Sequence, residues 1–594
     1  MDDFLIIFNS VAMYKKKKSF YYFEDVGTKL DSNDEGYLAN FPLFNSKKEN
    51  ECVSILNHDV DMDIFIIRDL SNFESFYENR KLDKVTILEF FDCYLLLNKG
   101  TNICLKCFIQ RYIEGIEDEI SSFCPELFNA KFCFTTNLTK KNVKKIYSHI
   151  QSNTIVLYEK GKNSSYITFI QCYPNCVTQN FVKRQLEKPM ELYQNTGFRK
   201  YSVKNFDDYI GRCSPVKEIQ NLIGIDPISY PVFGAVSACQ RNETNYRYHG
   251  GKGLTEQQAK MSAVGEAIER YCARQFGYEN ILFKNVKELN RAEAKYLNPN
   301  VLFPFEELEY KDEKSYEWVE GVDLRTKKEI LIPANVVFFP YNADTELHFT
   351  SQSTTGLASG ITVEDAILQG VCEVFERHNY SISHKTSDIK GEIIDLNIDY
   401  ASFFKDISWA QNMVKDFKLH LTLLNAEHGL YTVHCVLESR KNQFPKCSHG
   451  SGASFNLDTA IYRAICESLQ MRTSQIILNK EDKLSDSEYL VYKEWGDGNE
   501  KYFYTFLNNN ERNIMEITNE NKETRTLVQQ QSTLEAFINS SDFNFYVVDL
   551  SRDDVPLKVV RIIVPEAQDI DNTNRKISPL LKKNGFNNYL PMFS

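Results

Sequence analysis

The sequence lacks any hydrophobic run of transmembrane length, and its apolar segment Leu5–Phe8 is too short and too poorly flanked for a signal peptide. It also lacks an excess of positive charge: 69 lysines and arginines face 81 aspartates and glutamates, for a net charge of −12. This acidity argues against nucleic acid as the main partner. Without an export signal, the 15 cysteines are expected to be reduced thiols or zinc ligands. We therefore expect a cytoplasmic protein that contacts neither membrane nor nucleic acid.

A second absence is that of the common phosphate-binding sequences. No Gly-x4-Gly-Lys-Ser/Thr sequence occurs, and the first 200 residues carry no dinucleotide or ATP fingerprint. The length predicts about two to four domains. Before residue 200, short strand-like runs alternate with polar connections, whereas longer helical patterns alternate with strands after about Gly211. We therefore expect an α/β (α+β) fold with domains at 1–200 and 201–594, in which the polar stretch 480–532 is an insertion or a mobile lid.

Three segments of the second part share one pattern of side chains. Ser262–Phe276, Asp365–Tyr380 and Ala460–Ser474 have helix-forming composition, and each carries two acidic or amide residues three positions apart with an arginine just after. Residues at i and i+3 lie on one face of a helix. The pairs that this places together are Glu266 with Glu269, Glu373 with Glu376, and Glu467 with Gln470.

Carboxylates crowded near an apolar core repel one another and lose hydration unless cations neutralise them. Oxygen ligands suit magnesium, which usually binds through a few carboxylates together with the phosphates of a nucleotide. The alternative is that each segment is a solvated helix face with internal ion pairs, and any single copy favours that interpretation. Three copies in similar apolar frames favour a metal–nucleotide site built from three helices.

Glycines precede each of the three segments, in Tyr248–Gly253, Thr355–Gly360 and His449–Ser454. Glycine lets backbone N–H groups approach phosphate oxygens closely, and Lys252 would add a positive charge there. Because none of these stretches has Walker spacing, each is weak evidence by itself.

Two close cysteine pairs occur in the first part, Cys104 with Cys107 and Cys172 with Cys176. Two short-spaced pairs in one small region are typical of a structural zinc ion held by four thiolates. The alternative is four ordinary buried thiols. We favour zinc because both pairs that the site needs are present.

The runs GGKGLTEQQAKMSAVGEAIERY, TTGLASGITVEDAILQGVCEVFERH and HGSGASFNLDTAIYRAICESLQMR resemble the YcaO superfamily in order and spacing. The segment Phe545–Ile570 is similar to that family's final strand–loop–strand element. The resemblance spans the chain from about Gly211 onward and implies binding of ATP and magnesium. The residues to which it assigns ATP are Lys252, Ser262, Arg270, Glu364, Arg377, Glu467, Gln470 and Arg472. The residues to which it assigns catalysis and magnesium are Glu266, Glu269, Glu373 and Glu376.

The resemblance also implies a reaction, the ATP-dependent activation of a backbone amide in a peptide. Phosphorylation of the amide oxygen converts loss of water into loss of phosphate after a neighbouring Cys, Ser or Thr side chain attacks. The products would be thiazoline or (methyl)oxazoline rings, whereas relatives that use an external nucleophile give thioamides or amidines. A non-catalytic scaffold subunit is a further alternative, against which the retained acidic residues argue.

The first part resembles the reduced E1-like docking region of azoline-forming cyclodehydratases of the D-protein type, a likeness carried by Cys104, Cys107 and Arg111. The second cysteine pair has one residue more than the family's usual spacing. The C-terminal segment Asn588–Ser594 has Pro591 in place of a proline-rich tail, and His378 replaces a common aspartate and is expected to be a packing residue. The implied partners are a ribosomal precursor peptide, a leader-binding subunit, a flavin dehydrogenase and a second copy of the chain.

Overall fold

The computed structural model describes residues 210–211, 214–237, 248–275, 279–302, 313–341, 347–385, 392–395, 404, 407–441, 443–484, 489–498, 514–516, 527–552 and 555–570. Within the first 203 residues it describes the backbone of strands only. The contacts divide the chain into two units. One comprises Met1–Arg184, Phe206–Glu218 and Ala238–Arg247, and the other comprises Gln185–Asn205, Ile219–Ser237 and Tyr248–Ser594. The expected single boundary near residue 200 stays a prediction.

The first unit contains one antiparallel sheet and one mixed sheet. A three-stranded antiparallel sheet joins β1 (Asp3–Phe8), β2 (Val11–Lys16) and β3 (Ser19–Phe23). A six-stranded sheet follows chain order from β4 to β9, with β5 and β6 parallel and its other neighbours antiparallel. Its strands are β4 (Cys52–Asn57), β5 (Val60–Phe65), β6 (Val85–Glu89), β7 (Cys93–Leu97), β8 (Ile155–Glu159) and β9 (Ser165–Thr168). The short strands expected before residue 200 are thus present in this unit.

The second unit contains the remaining strands, apart from the first three residues of β12, in one hairpin and three larger sheets. The orders are β10-β11, β12-β13-β14, β15-β16-β24-β25-β18 with β17 beside β16, and β22-β21-β20-β19-β23. The strands are β10 (Leu192–Gln194), β11 (Tyr201–Val203), β12 (Val216–Asn221), β13 (Val232–Ser237), β14 (Tyr248–Lys252), β15 (Leu282–Lys284), β16 (Tyr316–Asp323), β17 (Lys328–Pro333), β18 (Leu357–Gly360), β19 (Glu392–Asp395), β20 (Phe417–Asn425), β21 (Tyr431–Ser439), β22 (Cys447–Ser454), β23 (Ile514–Glu516), β24 (Tyr546–Asp549) and β25 (Lys558–Ile563).

Helices of the second unit pack on these sheets. Those in the described ranges are α1 (Glu256–Ala273), α2 (Val286–Arg291), α3 (Val363–Lys385), α4 (Ser408–Asp416), α5 (Leu457–Lys480), α6 (Leu490–Gly496) and α7 (Leu527–Ser540), with short 3-10 turns at Pro299–Leu302, Ala334–Val336 and Glu427–Gly429. The mixture of helices and sheets confirms the predicted α+β class. The three predicted motif helices are α1, α3 and α5, each longer than its motif.

Side-chain caps fix where two motif helices begin. The Thr255 hydroxyl accepts from the backbone N–H of Gln258 at 3.2 Å at the start of α1. The Asn456 side chain accepts from the backbone N–H of Thr459 at 2.9 Å at the start of α5. Each bond satisfies one of the N–H groups that the first turn of a helix leaves unpaired.

Two apolar cores hold the motif helices α3 and α5 in place. The first joins α5 to β20, β21 and the strands around them, with Phe417, Val433 and Ile461 buried. The second joins α3 to β24, β25 and α7, where Phe375 contacts Phe537 edge-on with ring centroids 4.9 Å apart. Because these cores lie beneath α3 and α5, the backbones that carry Glu373, Glu376 and Glu467 are held rigidly.

Each motif helix follows a glycine-containing strand and packs on it, which gives three strand–helix units: β14 with α1, β18 with α3, and β22 with α5. A Cβ on Gly251 would lie 2.1 Å from the backbone oxygen of Ala259, and a Cβ on Gly450 would lie 2.4 Å from the backbone nitrogen of Ser468. These glycines let strand and helix approach closely. At these positions helix backbone fills the space that a side chain would occupy, and the interpretation of the glycines as phosphate-binding stays a prediction.

Residues 480–532 were expected to be an insertion or a mobile lid, and their described parts pack into the unit instead. Trp495 on α6 is buried and stacks on His449 at 4.1 Å between ring centroids. The backbone oxygen of Gly496 accepts from Lys446 at 2.6 Å. Strand β23 pairs in parallel with β19 at the edge of the five-stranded sheet. These segments contribute to the fold.

Candidate active site

Five glutamates from the three motif helices converge on one centre. Each is held through its carboxylate by backbone or side-chain donors, so their positions are fixed before any ligand binds. They are Glu266 and Glu269 on α1, Glu373 and Glu376 on α3, and Glu467 on α5.

Two of these carboxylates connect one strand–helix unit to the next. Glu269 on α1 accepts from the backbone N–H and the hydroxyl of Ser359 on β18, both at 2.8 Å. Glu376 on α3 accepts from the backbone N–H of Ala453 on β22 at 2.9 Å. The first helix thus reaches the second strand, and the second helix reaches the third strand.

The third strand–helix unit, β22 with α5, is connected back to the first one. Glu467 on α5 pairs with Nζ of Lys252 on β14 at 2.9 Å, while its other oxygen accepts from the backbone N–H of Ser451. Glu373 accepts from the backbone N–H of Gly356 at 2.9 Å. The carboxylates and Lys252 therefore tie the three units into a closed ring around the centre.

Crowding and burial change the acidity of these groups. Burial raises the pKa of Glu269 to about 7, and the carboxylates of Glu373 and Glu266 also raise it. Burial raises the pKa of Glu376 to about 7 as well, with Glu467 and Glu373 acting in the same direction. A centre that concentrates negative charge to this degree attracts cations.

Cationic side chains stand at the edge of the centre. Arg270 pairs with Glu266 at 3.3 Å and Arg377 pairs with Glu373 at 3.0 Å, each one helical turn from its partner. Burial lowers the pKa of Lys252, but Glu467 and the other nearby carboxylates outweigh it, so the pKa is raised overall. The carboxylate of Glu373 likewise outweighs the effect of burial and raises the pKa of Arg377, so Lys252 and Arg377 are charged at neutral pH.

Two further predicted residues lie near this ring without a hydrogen bond to it. Gln470 packs against Gly250 of β14: a Cβ on Gly250 would lie 2.1 Å from the amide nitrogen of Gln470. The amide oxygen of Gln470 is buried and has no hydrogen-bond partner among the described residues. Ser262 is half-buried on α1, one turn before Glu266 and on the same face. Their assignment to ATP stays a prediction.

Glu364 lies outside the centre. It is exposed in the first turn of α3, nine residues and about 13 Å along the helix from Glu373. The neighbouring Asp365 is buried and caps the helix, since it accepts from the backbone N–H of Ile361 at 3.3 Å and its own N–H donates to Thr362. Adjacent helix positions differ by about 100°, so only one of these two acids can face inward.

Arg472 also pairs with residues outside the ring, and its assignment to ATP stays a prediction. It is buried, pairs with Asp226, and donates to the backbone oxygen of Pro445. Its guanidinium carbon lies 4.7 Å from the ring centroid of Phe417. These contacts give Arg472 a role in holding α5 to the strands behind it.

His378, by contrast, is the packing residue that was expected. It is buried, its Nδ1 accepts from the backbone N–H of Gln568 at 2.8 Å, and its ring meets Phe375 edge-on. Burial lowers the pKa of His378 to about 4, so the ring is neutral at physiological pH.

Several residues around the centre escaped the sequence analysis. Arg377 donates to the hydroxyl of Thr355 at 2.8 Å, and that hydroxyl donates to Asp569. Ser359 anchors Glu269, and Arg561 lies buried in the last strand. Only Arg561 had a visible signal, as a charged residue inside the apolar run Lys558–Val564.

The donor set fits magnesium bound together with a phosphorylated ligand. Among the described residues, no group of three or more acidic, histidine or cysteine side chains lies close enough to hold an ion by itself. Magnesium usually binds through one or two carboxylates and substrate phosphates, and it rarely uses an all-protein cage. Carboxylates with raised pKa values, held in place by backbone N–H groups, supply such a partial ligand set.

The predicted zinc ligands Cys104, Cys107, Cys172 and Cys176 lie outside the described residues, so zinc stays a prediction. In the described ranges, five cysteines are free and buried, and burial raises the pKa of Cys435 and of Cys466 to about 12. These thiols are inert packing residues.

Among the helices that the structure describes, none combines the length and apolar character needed to cross a membrane.

Glutamates, arginines and a lysine that converge between glycine-packed strand–helix units form the kind of site that binds magnesium and phosphate. Residues 250–568 match the protein family described as YcaO cyclodehydratase, ATP- and Mg²⁺-binding. This match covers more than half of the 594 residues. The chain therefore belongs to the YcaO cyclodehydratase family, as the three motifs predicted.

Two relatives by sequence carry no functional description. An uncharacterized protein of Methanothermobacter thermautotrophicus is 29% identical over 375 residues, which are 61% of this chain and 92% of that protein. An uncharacterized protein in the tfuA 3' region of Rhizobium leguminosarum bv. trifolii is 25% identical over 272 residues, which are 44% of this chain and 62% of that protein.

Two solved structures share the fold. A heterocyclase in complex with substrate and cofactor is similar with a TM-score of 0.70 and 16% identity, over 86% of this chain and 76% of that one. The heterocyclase TruD is similar with a TM-score of 0.60 and 17% identity, over 90% of this chain and 79% of that one. At these identities the likeness concerns the fold.

Proposed function

We propose that this chain is an ATP-dependent cyclodehydratase that converts Cys, Ser or Thr of a ribosomally made precursor peptide into thiazoline or (methyl)oxazoline. The observation that carries the proposal is the ring of carboxylates from α1, α3 and α5, closed by Lys252. A fold that holds five glutamates close together without the chemistry that uses them would bear a large electrostatic cost. Membership of an ATP- and Mg²⁺-binding family supports the same function.

In this proposal the chain's own residues bind and orient the ligands. Glu266, Glu269, Glu373 and Glu376 would hold magnesium, and Lys252 and Arg377 would bind the phosphates. Bound ATP and magnesium would supply the phosphoryl group and neutralise the charge that develops on it. The substrate's side-chain heteroatom attacks its preceding amide carbon, the amide oxygen takes the phosphoryl group, and phosphate departs as the ring forms.

The azoline product is favoured by two structures named heterocyclases, whose folds are similar over 86% and 90% of this chain. Both similarities extend over more of the chain than residues 250–568, which the family match covers. The partners that go with this function are the precursor peptide, a leader-binding subunit, a flavin dehydrogenase and a second copy of the chain. A structural zinc ion on the two N-terminal cysteine pairs belongs to the same proposal.

A second candidate is amide modification with a nucleophile that a partner delivers, as in thioamidation. It is favoured by the Methanothermobacter relative, because a match to 61% of this chain covers 92% of that protein. A relative of that size resembles a lone catalytic domain, the form that thioamide- and amidine-forming members more often take.

Phosphate release and peptide mass test the proposal together. The purified chain would be assayed with magnesium and ATP, with and without the precursor peptide and leader-binding protein encoded beside it. We expect peptide-stimulated phosphate release together with the loss of one water mass per ring. Exchange of oxygen for sulfur would establish the second candidate. Phosphate release that stays absent with every component present would leave a scaffold subunit and overturn both.

A further inference from the structure

The hydroxyl of Thr355 connects Arg377 on α3 to Asp569, a residue of the segment that follows β25. It accepts from a terminal nitrogen of Arg377 at 2.8 Å and from the hydroxyl of Ser353 at 2.9 Å, and it donates to the carboxylate of Asp569. A hydroxyl has one donor and two acceptor positions, so these partners use all three. Because an arginine can only donate, the contacts run in one direction, from Arg377 through Thr355 to Asp569. We call these three side chains the relay.

Asp569 is held firmly in place. It is 6% exposed and lies 214 residues from Thr355 along the chain. Its carboxylate also accepts from the backbone N–H of Ile570 at 2.8 Å, and the backbone N–H of the preceding Gln568 donates to Nδ1 of His378 at 2.8 Å. His378 follows Arg377 directly on α3. The segment that carries Asp569 is therefore fixed against the same turn of α3 that carries Arg377.

The relay determines how Arg377 meets Glu373. One terminal nitrogen of Arg377 pairs with Glu373 at 3.0 Å, and the other donates to Thr355 and, at the longer distance of 3.2 Å, to Thr354. An arginine free of other partners often binds a carboxylate through two parallel N–H···O bonds. The end-on form of that pair needs both terminal nitrogens. Since Thr355 engages one of them, this form is closed to Arg377.

Glu373 consequently keeps part of its capacity to bind a ligand. One of its oxygens accepts from Arg377 and the other from the backbone N–H of Gly356 at 2.9 Å. A carboxylate offers about four lone-pair positions, so these two bonds leave about half of them. The side chain of Glu373 is 27% exposed, so a ligand can reach it.

The charge of Asp569 acts on Arg377 as well. Burial lowers the pKa of Arg377, but Glu373 and then Asp569 outweigh it, with larger effects than those of Glu376 and Glu467. Arg377 is thus shared between two carboxylates, one in the ring and one outside it. A hydroxyl that donates to a carboxylate is also polarised, which strengthens the bond that it accepts.

We propose that Asp569, acting through the hydroxyl of Thr355, is a positioning residue that holds Arg377 between two carboxylates and so keeps Glu373 available to magnesium. This inference rests on the proposed function and deepens it, because it assigns control of one magnesium ligand to the segment that follows the last strand. Residues that orient a metal ligand from outside typically change metal affinity about 10- to 100-fold when they are replaced.

The test compares five proteins: the wild type, Thr355→Val, Thr355→Ser, Asp569→Asn, and the control Thr350→Val. Thr350 is a buried threonine whose hydroxyl donates to the backbone oxygen of Leu302 at 3.0 Å, so its replacement removes a buried hydroxyl bond that has no connection to Arg377. Magnesium is titrated at a fixed concentration of AMPPCP, and binding is followed by calorimetry. Thermal midpoints without ligand are measured in parallel.

Thr355→Val should weaken magnesium binding about 10- to 100-fold, because Asp569 keeps its charge but no longer reaches Arg377. Asp569→Asn retains an acceptor for Thr355 and loses the charge, and should weaken it about 10-fold. Thr355→Ser restores the hydroxyl and should stay within about threefold of the wild type. Thr350→Val should lower the thermal midpoint as Thr355→Val does and change magnesium binding less than about twofold.

Three results would overturn the inference. They are an unchanged magnesium affinity in Thr355→Val, an equal loss in Thr355→Ser, and an equal loss in Thr350→Val. If Thr355→Val fails to fold, Asp569→Asn carries the test, and an unchanged affinity in that variant would overturn the inference in the same way.

A second measurement needs no ligand. The thermal midpoints of Asp569→Asn, Arg377→Met and the double variant give the coupling between the two side chains. The combined loss should be smaller than the sum of the single losses when Thr355 is present, and equal to that sum when Thr355→Val is added to each protein. Additive losses in the presence of Thr355 would overturn the relay.

These measurements separate the inference from the proposed function. Coupling through Thr355 in a protein that binds no magnesium nucleotide would retain the relay and reject both its effect on magnesium and the ATP-dependent activity. A wild type that binds magnesium with AMPPCP and shows the expected variant effects, yet modifies no peptide, would retain the inference and reject the cyclodehydratase.

Discussion

The first two motif helices and the third differ in where their arginine lies. On α1 and α3, Arg270 and Arg377 pair with a glutamate one turn earlier on the same helix and face the centre. On α5, Arg472 faces away and pairs with the buried Asp226. The cause is one residue of spacing. Arg270 and Arg377 follow Glu266 and Glu373 by four positions, about 40° around the helix, whereas Arg472 follows Glu467 by five, about 140°.

The cation that pairs with the glutamate of the third strand–helix unit therefore comes from a different element. The positive charge beside Glu467 comes from Lys252 at 2.9 Å. Lys252 lies on β14, the strand of the first strand–helix unit. In the first and second strand–helix units, one glutamate pairs with an arginine of the same helix. In the third, Glu467 pairs with Lys252 of the first strand–helix unit. The resemblance among the three motifs is therefore one of carboxylates, and their cations are arranged differently.

The largest expected effect comes from the carboxylates that the three helices share. Glu269→Gln and Glu376→Gln each remove a negative charge from a side chain that bridges two units, and each should lower ATP-dependent turnover by at least about 100-fold. Far-ultraviolet circular dichroism should show both variants folded. Glu320→Gln, an exposed change on β16, is the matched control. Turnover that survives both changes would contradict the metal-site assignment.

The contrast between the arginines predicts a change in stability for α5. Arg472→Met leaves the carboxylate of Asp226 buried without its partner, which should cost about 3–5 kcal/mol in urea unfolding. The double variant Asp226→Leu/Arg472→Met should regain most of that loss. A single variant with unchanged stability and weakened nucleotide binding would return Arg472 to the ATP site and remove the contrast.

Close strand–helix approach is common to the three units and can be tested on the third. Gly450→Ala places a Cβ 2.4 Å from the backbone nitrogen of Ser468, so strand and helix must move apart, at a cost of about 1–3 kcal/mol. The control is Gly234→Ala on β13, where the nearest atom would lie 3.5 Å away. Equal stability of the two variants would show that the glycines serve another purpose.

The two glutamates with raised pKa values lie on α1 and α3, and they predict proton release when magnesium binds. Glu269 and Glu376 titrate near pH 7 in the folded protein without a cation, above the ordinary value of 4.5. At pH 6.5, binding of magnesium with AMPPCP should therefore release up to about two protons. Calorimetry in two buffers of different ionisation enthalpy measures that number, and Glu269→Gln should reduce it. Buffer-independent heats in the wild type would contradict the shifts.

The same shifts set the direction of stability against pH. A carboxyl whose folded pKa lies above its unfolded value contributes stability fully below pH 4.5, and that contribution is lost as the pH rises through 7. Without magnesium, the free energy of unfolding should therefore fall between pH 5 and 8, and magnesium with AMPPCP should offset the fall.

The smallest expected effect concerns the two acids at the start of α3. Glu364→Gln changes an exposed side chain and should alter turnover less than about twofold. Asp365→Asn weakens the cap and should cost about 0.5–2 kcal/mol of stability. A large loss of nucleotide affinity in Glu364→Gln alone would restore Glu364 to the site.

The sequence predicted the motif helices well because their signals are local. Apolar residues and acid pairs at helical spacing fix both the helix and the face on which Glu266, Glu269, Glu373 and Glu376 lie, whatever the rest of the chain does. The order of the three motifs placed the chain in its family before any contact was known.

Spacing alone failed where a side chain had a choice of partners. Glu364 and Asp365 are adjacent and both acidic, yet packing turns Asp365 inward and leaves Glu364 exposed. The glycines of β14 and β22 have the composition of phosphate loops and serve helix packing.

What the sequence by itself determined is the three motif helices, the carboxylates that each one presents, and the family. The tertiary structure alone decided that these carboxylates form a ring through Ser359, Ala453 and Lys252, and that Arg561 lies buried beside it. The physical reason is distance along the chain. A helix face depends on neighbours within four residues, whereas each closure of the ring depends on sheets that bring together segments about 80 to more than 200 residues apart.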